Sequence, residues 1–260
     1  MKLEVFNLQD RTAVVTGSSG GLGKAIALGL AEAGADLVLA SRNVKINEEI
    51  ADQIRHMGRK ALVVKVDINK NEDWIDLRSR ALDEFGKVDI LVNNAGISPI
   101  YKKAEEIQLD EWDAIMSTNL RAVFVGCQIF MEPMQKQGSG KIINISSAAG
   151  GEGSPRLAAY AAAKAGVANL TQTLSIEWAE YGIQVNAVAP GPFEVGLGES
   201  IMDSQFFRES WLRSLPVKRF GKDREILGAV VLLASQASDF ITGQTIYVDG
   251  GWTAGKPSIG

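Results

Sequence analysis

The regular exchange of two hydropathy periods limits this chain more than any other feature. Short runs rich in β-branched residues stand at 12–16, 36–40, 61–66, 88–92, 141–145, 184–189 and 245–248. Between them, at 23–33, 44–56, 71–85, 109–136, 157–180 and 224–234, apolar residues recur at helical spacing. In the first of these stretches Ile26, Leu30 and Ala33 share one face. Strand and helix in alternation mean βαβ units, because parallel neighbours need a crossover of helical length. The short runs are apolar almost throughout, the pattern of strands covered on both faces. The expectation is an α/β fold: a single doubly wound parallel sheet of seven strands with helices on both faces, one Rossmann-type domain over 1–260. The stretch 190–220 breaks the rhythm. It is a long connection containing glycines and aromatics, which in a compact domain suggests a lid over a site.

Composition narrows the partners. With 27 basic against 31 acidic side chains the formal charge is −4, unsuited to nucleic acid or an anionic membrane surface. No run of ~18 apolar residues suggests a membrane span. Residues 1–11 lack the apolar core of a signal peptide. Cys127 is the sole cysteine, so no internal disulfide is possible and a cytoplasmic location is expected. It sits in an apolar run and reads as a small buried hydrophobe. His56 is the sole histidine and lies in a polar stretch, so no metal site is expected.

The first strand ends in Thr16-Gly17-Ser18-Ser19-Gly20-Gly21-Leu22-Gly23, and a helix follows at once. Glycines there let the backbone turn sharply and approach a pyrophosphate. The helix start offers free N–H groups and the positive end of its dipole. The spacing Gly17-x3-Gly21-x-Gly23 resembles that of the short-chain dehydrogenase/reductase family. The second strand ends in Ser41-Arg42-Asn43. Dinucleotide folds put an acid here to hold a free ribose 2′-hydroxyl, or an arginine nearby for a 2′-phosphate. Ser41 fills the end position and Arg42 can pair with a phosphate, which favours NADP(H) over NAD(H). The absence of a basic residue between Gly17 and Gly21 weighs the other way.

The family resemblance extends through the chain. Asp67-Ile68, closing the third strand, resembles the adenine-contacting pair. Asn93-Asn94-Ala95-Gly96 after the fourth matches a family motif with structural and cofactor-contacting roles, the contacts expected from Asn93, Ala95 and Gly96. Tyr160-Ala161-Ala162-Ala163-Lys164 places a phenol and an ammonium one helical turn apart. Ser147 lies thirteen residues before Tyr160, at the end of the fifth strand. Ser146 is its rival, but the spacing favours Ser147. Asn119 matches a family asparagine of a proton relay. Pro190-Gly191 resembles the turn that packs on the nicotinamide, and Val195 stands where many members carry a threonine.

The resemblance implies an oxidoreductase that interconverts a ketone and a secondary alcohol. Its catalytic set is Asn119, Ser147, Tyr160 and Lys164. Its cofactor set is Gly17, Ser19, Gly21, Leu22, Gly23, Ser41, Arg42, Asp67, Ile68, Asn93, Ala95, Gly96, Tyr160, Lys164, Pro190, Gly191 and Val195. Tyr160 acts as general acid or base. The ordinary phenol pKa near 10 calls for a neighbouring cation, and Lys164 supplies one. The family also implies a homotetramer built on the long helices after the fourth and fifth strands.

The substrate stays open among a sugar or sugar acid, a β-ketoacyl thioester, and a cyclic or aromatic ketone. Phe193, Phe206, Phe207 and Trp211 suggest an apolar cover. Glu152 or Arg156 facing the pocket would favour a polyol or sugar acid; the plainer reading of both is solvated loop. A non-catalytic nicotinamide-binding regulator, and a lyase or epimerase using the cofactor internally, are the rival functions.

Overall fold

A computed structural model describes residues 4–98, 100–196 and 205–255, with the side chains at 205–207 also outside the description. The strands are β1 (Thr12–Thr16), β2 (Asp36–Ser41), β3 (Ala61–Lys65), β4 (Ile90–Asn93), β5 (Gly140–Ile145), β6 (Ile183–Pro190) and β7 (Thr245–Val248). They form one parallel sheet in the order β3-β2-β1-β4-β5-β6-β7. The order reverses between β1 and β4. At such a switch point neighbouring crossovers leave on opposite faces and open a crevice at the carboxyl ends of the strands.

The helices follow from amphipathic spacing. On one face lie α1 (Gly21–Glu32), α2 (Val44–His56) and, late in the chain, α8 (Leu227–Ala234). Ala13 and Val15 join Ile26, Leu30, Ile50, Ile54 and Val230 in that layer. Val14, between them in sequence, points the other way and packs with Trp74, Leu77, Phe130 and Leu174. Those residues belong to α3 (Asn71–Phe85), α5 (Ala122–Gln137) and α6 (Ala158–Trp178). Alternate residues of one strand thus feed two cores, which is why the strands carry almost no polar positions.

One expectation needs correcting. The stretch read as one helix over 109–136 is divided. Helix α4 (Leu109–Met116) passes into a π-helical turn, Ser117–Arg121, before α5 begins. The cause is tertiary: Asn119, in this turn, directs its amide onto the backbone of Ile97, and the widened turn accommodates the pair of bonds. The continuous segment Leu109–Gln137 is also apolar and long enough to cross a membrane by composition. Its inner face, including Val123, Cys127, Phe130 and Met134, is packed against the sheet instead. The 190–220 connection, expected to be a lid, contains α7 (Gln205–Ser214). Residues 197–204 of the expected lid, and the side chains of Phe206 and Phe207, lie outside the description.

Candidate active site

The crevice at the switch point is a cavity of about 1060 Å³. Its floor is the glycine turn. Gly17 and Gly21 adopt φ of +65° and +51°, left-handed conformations that side-chain-bearing residues avoid. A Cβ on Gly23 would lie 2.1 Å from the Gly17 carbonyl oxygen, so the turn closes only without one. Gly20 caps α1 with no side-chain hydrogen bond, which leaves the first N–H groups of the helix unclaimed. Gly20, Gly21 and Leu22 line the cavity, and the positive end of the helix faces it. Such a cradle fits a dinucleotide's pyrophosphate.

Asn94 braces this floor. Its amide donates to the carbonyls of Thr16 at 2.9 Å and Gly17 at 3.2 Å, while Thr16 Oγ1 accepts from the backbone of Asn94 and Ala95. Asn94, Ala95 and Gly96 line the cavity. Asn93, expected on the cofactor, does not. Its side chain lies in the core, where its amide donates to Asn144 at 2.9 Å and Cys127 at 3.3 Å. The pleat explains the exchange: adjacent residues at a strand end project to opposite sides. Burial among apolar neighbours pushes the Cys127 thiol up to about 12, fitting the inert hydrophobe expected of it.

At one end of the cavity Ser41 Oγ accepts from Asn47 at 3.0 Å and from the Asn43 backbone at 3.1 Å. Its hydroxyl therefore fixes the loop and presents Arg42, which lies exposed at the cavity wall and forms no ion pair among the described residues. Asp67, Ile68 and Asn69 form the opposing wall. Asp67 accepts from the Asn69 backbone at 3.1 Å, a turn-stabilising bond that leaves its second carboxylate oxygen for a ligand.

At the other end stand the proton-handling groups. Tyr160 sits in the first turn of α6 and lines the cavity together with Ser147. Ser147 caps a short 3-10 turn and also accepts from the Ala149 backbone at 3.2 Å. The rival, Ser146, donates to the Lys164 carbonyl at 2.8 Å, stitching α6 to β5. The Lys164 ammonium lies 5.8 Å from the centre of the Tyr160 ring and donates to the Ile145 carbonyl at 2.7 Å. Burial pushes that ammonium down to about 8. Burial also raises Tyr160, and the Ser147 hydrogen bond offsets part of the rise. In the protein alone, then, the pKa of the phenol is raised rather than lowered: the cost of burying its charge outweighs what Ser147 offsets.

Asn119 is fully buried and does not reach the cavity wall. Its amide accepts from Ile97 N at 2.9 Å and donates to Ile97 O at 2.7 Å. A Cβ on Gly96 would sit 2.7 Å from Asn119 Oδ1 and 3.7 Å from Lys164 Nζ, so the two side chains converge on this glycine. Pro190, Gly191 and Val195 line the wall beyond β6, as do Gly17, Ser19 and Gly23 on the floor. Val195 carries no hydroxyl, so a hydrogen bond from this wall must come from backbone. Trp211 and Trp252 close the outer end, and Trp252 escaped the sequence reading because nothing in its spacing ties it to the fifth-strand serine.

Residues 17–253 match the family described as enoyl-(acyl carrier protein) reductase. A 2-dehydro-3-deoxy-D-gluconate 5-dehydrogenase from Dickeya dadantii is 40% identical, the match covering 98% of this chain and 100% of that one. A 3-oxoacyl-(acyl-carrier-protein) reductase from Staphylococcus epidermidis is 38% identical over 93% of this chain and 98% of its own. The crystal structure of a gluconate 5-dehydrogenase from Burkholderia cenocepacia, in complex with NADP and tartrate, superposes with a TM-score of 0.93 at 39% identity, over 97% of this chain and 99% of that one.

Proposed function

Because the chain belongs to the short-chain dehydrogenase/reductase family, we propose that it interconverts a keto group and a secondary alcohol on a sugar acid, with NADP(H) preferred to NAD(H). The reaction class is that of its relatives: it is an NAD(P)-dependent oxidoreductase. The observation that carries the site assignment is the meeting of Ser147, Tyr160 and Lys164 on one cavity wall, at the carboxyl edge of the same sheet whose first turn fits a pyrophosphate.

When bound, the nicotinamide gives or takes the hydride; the protein's own groups do the rest. Ser147 and Tyr160 hydrogen-bond the substrate oxygen. Tyr160 delivers the proton in reduction and removes it in oxidation. Lys164 holds its charge where a tyrosinate would form, and Asn119, which converges with it on Gly96, is assigned to the relay that resupplies the proton in reduction and takes it up in oxidation. Gly17, Ser19, Gly21, Leu22 and Gly23 would hold the phosphates; Ser41, Arg42, Asp67 and Ile68 would take the adenosine end; Ala95, Gly96, Pro190, Gly191 and Val195 would flank the remainder. Arg42, without an ion-pair partner among the described residues and displayed by a fixed loop, supports the NADP(H) preference. The sugar-acid reading rests on the relatives named for deoxygluconate and gluconate, and on the hydroxyls of Ser98 and Ser154 in the substrate end of the cavity. The long helices α5 and α6, bearing exposed Phe124 and Ile176, support a homotetramer.

A panel of aldonic and ketoaldonic acids, β-ketoacyl thioesters and cyclic ketones, each followed by nicotinamide absorbance with both cofactors, tests the proposal. Highest kcat/KM on a sugar acid with NADP(H) is expected. Highest kcat/KM on a thioester or simple ketone would overturn the substrate reading.

A further inference from the structure

Three segments far apart in sequence meet over the outer end of the cavity. The loop after Ser147 brings Glu152, α7 brings Trp211, and the turn after β7 brings Trp252. The two indoles meet edge to face, with ring centres 5.8 Å apart and planes at 63°. The indole N–H of Trp252 donates to the Glu152 carboxylate. The turn that carries Trp252 is itself rigid. The Asp249 carboxylate accepts from the backbone of Gly251 and Thr253, each at 2.9 Å, and from Thr253 Oγ1 at 2.7 Å. Gly250 and Gly251 both adopt left-handed φ, +62° and +85°, and a Cβ on Gly251 would lie 3.1 Å from Pro216, just past α7.

We propose that Trp252 is a specificity-determining residue, its ring forming the wall for the part of the substrate beyond the reacting carbon, and that Glu152 is a positioning residue that sets the angle of that ring. This rests on the oxidoreductase reading given above. An indole face is flat and apolar, suited to the C–H edges of a hydroxylated chain, while its polar edge must be satisfied elsewhere. Glu152 satisfies it from the exposed side. An exposed hydrogen bond of this kind adds little to stability. Its consequence is orientational: without an acceptor, the indole of Trp252 is free to turn about its side-chain torsions and the wall loses its shape.

The test uses the full-length enzyme and whichever carbonyl compound the wild type turns over best, so a failed sugar-acid reading leaves it intact. Kinetics are compared for the wild type, Glu152→Ala, Glu152→Gln and Trp252→Phe, with cofactor Kd measured by fluorescence. Glu152→Ala and Trp252→Phe are expected to raise substrate KM about tenfold, the loss falling on KM rather than kcat, with cofactor Kd unmoved. Glu152→Gln keeps an acceptor and restores the wild-type KM. Adding Glu152→Ala to Trp252→Phe costs nothing more, because both break one bond. Unchanged KM in Glu152→Ala would overturn the inference. So would a Glu152→Gln enzyme as impaired as the alanine variant, or a cofactor Kd that shifts in step with KM.

Discussion

Lys164 is buried with its ammonium on the Ile145 carbonyl, and this placement has a thermodynamic signature. Its pKa is 10.5 when solvated and about 8 in the folded chain. Between those values the unfolded state holds a proton that the folded state does not. Stability therefore rises with pH across that window, and below about pH 8 the full penalty applies. A shift of this size corresponds to about 3 kcal/mol. The Cys127 thiol, raised by burial, titrates the other way at higher pH and is common to both proteins compared. Denaturant melts of cofactor-free wild type and Lys164→Met, run from neutral to moderately alkaline pH, should show the wild type gaining stability relative to the variant as pH rises. Parallel curves would mean that the ammonium is not buried as described.

Tyr160, Lys164 and Ser147 were legible as neighbours because spacing along one helix and one strand end brings them to the same cavity. Asn93 was misplaced because a motif names residues without saying to which side of the pleat each projects. Asn119 is legible as a residue and not as a geometry, since the π-helical turn that aims it depends on a bond to Ile97, far away in sequence.

At the scale of elements, the proposed preference for NADP(H) rests on the loop between β2 and α2. Ser41 is held by Asn47, itself fully buried and accepting from Ser18 of the glycine turn at 3.0 Å. The loop is thus tied to the phosphate cradle, and Arg42 projects from a fixed base. A charge-assisted hydrogen bond to a phosphate contributes about 1.5–3 kcal/mol. Arg42→Ala should raise KM for NADP(H) by about ten- to a hundredfold on that basis and leave KM for NAD(H) near its starting value. Equal losses with both cofactors would show that Arg42 supports the loop rather than reading the 2′ position. The strand and helix pattern itself was legible almost to the residue, because each strand feeds two cores and each helix one. The division of the 109–136 stretch and α7 were not. The first is set by a tertiary hydrogen bond, and the second lies in a connection whose packing, against Phe220 and the turn after β7, has no periodic signal.

For the whole molecule, the two cores leave apolar side chains on the outside. Leu109 and Ile176 are each about four-fifths exposed, at 81% and 80%, and Phe124 at 41% stands on the outer face of α5. Large apolar side chains so exposed on α4, α5 and α6 suit a subunit contact. Light scattering after size exclusion should give four times the 27.9 kDa chain mass, and a mass of one chain would contradict the tetramer.

The account as a whole turns on Tyr160, and the most direct measurement is the turnover of Tyr160→Phe, with NADP(H) affinity measured on the same sample. Removing one hydroxyl leaves the ring and its packing in place but takes away the proton donor. Turnover should fall by about a thousandfold with cofactor affinity retained. A variant that stays folded, binds cofactor and keeps most of its turnover would place the proton-handling group elsewhere and contradict the site.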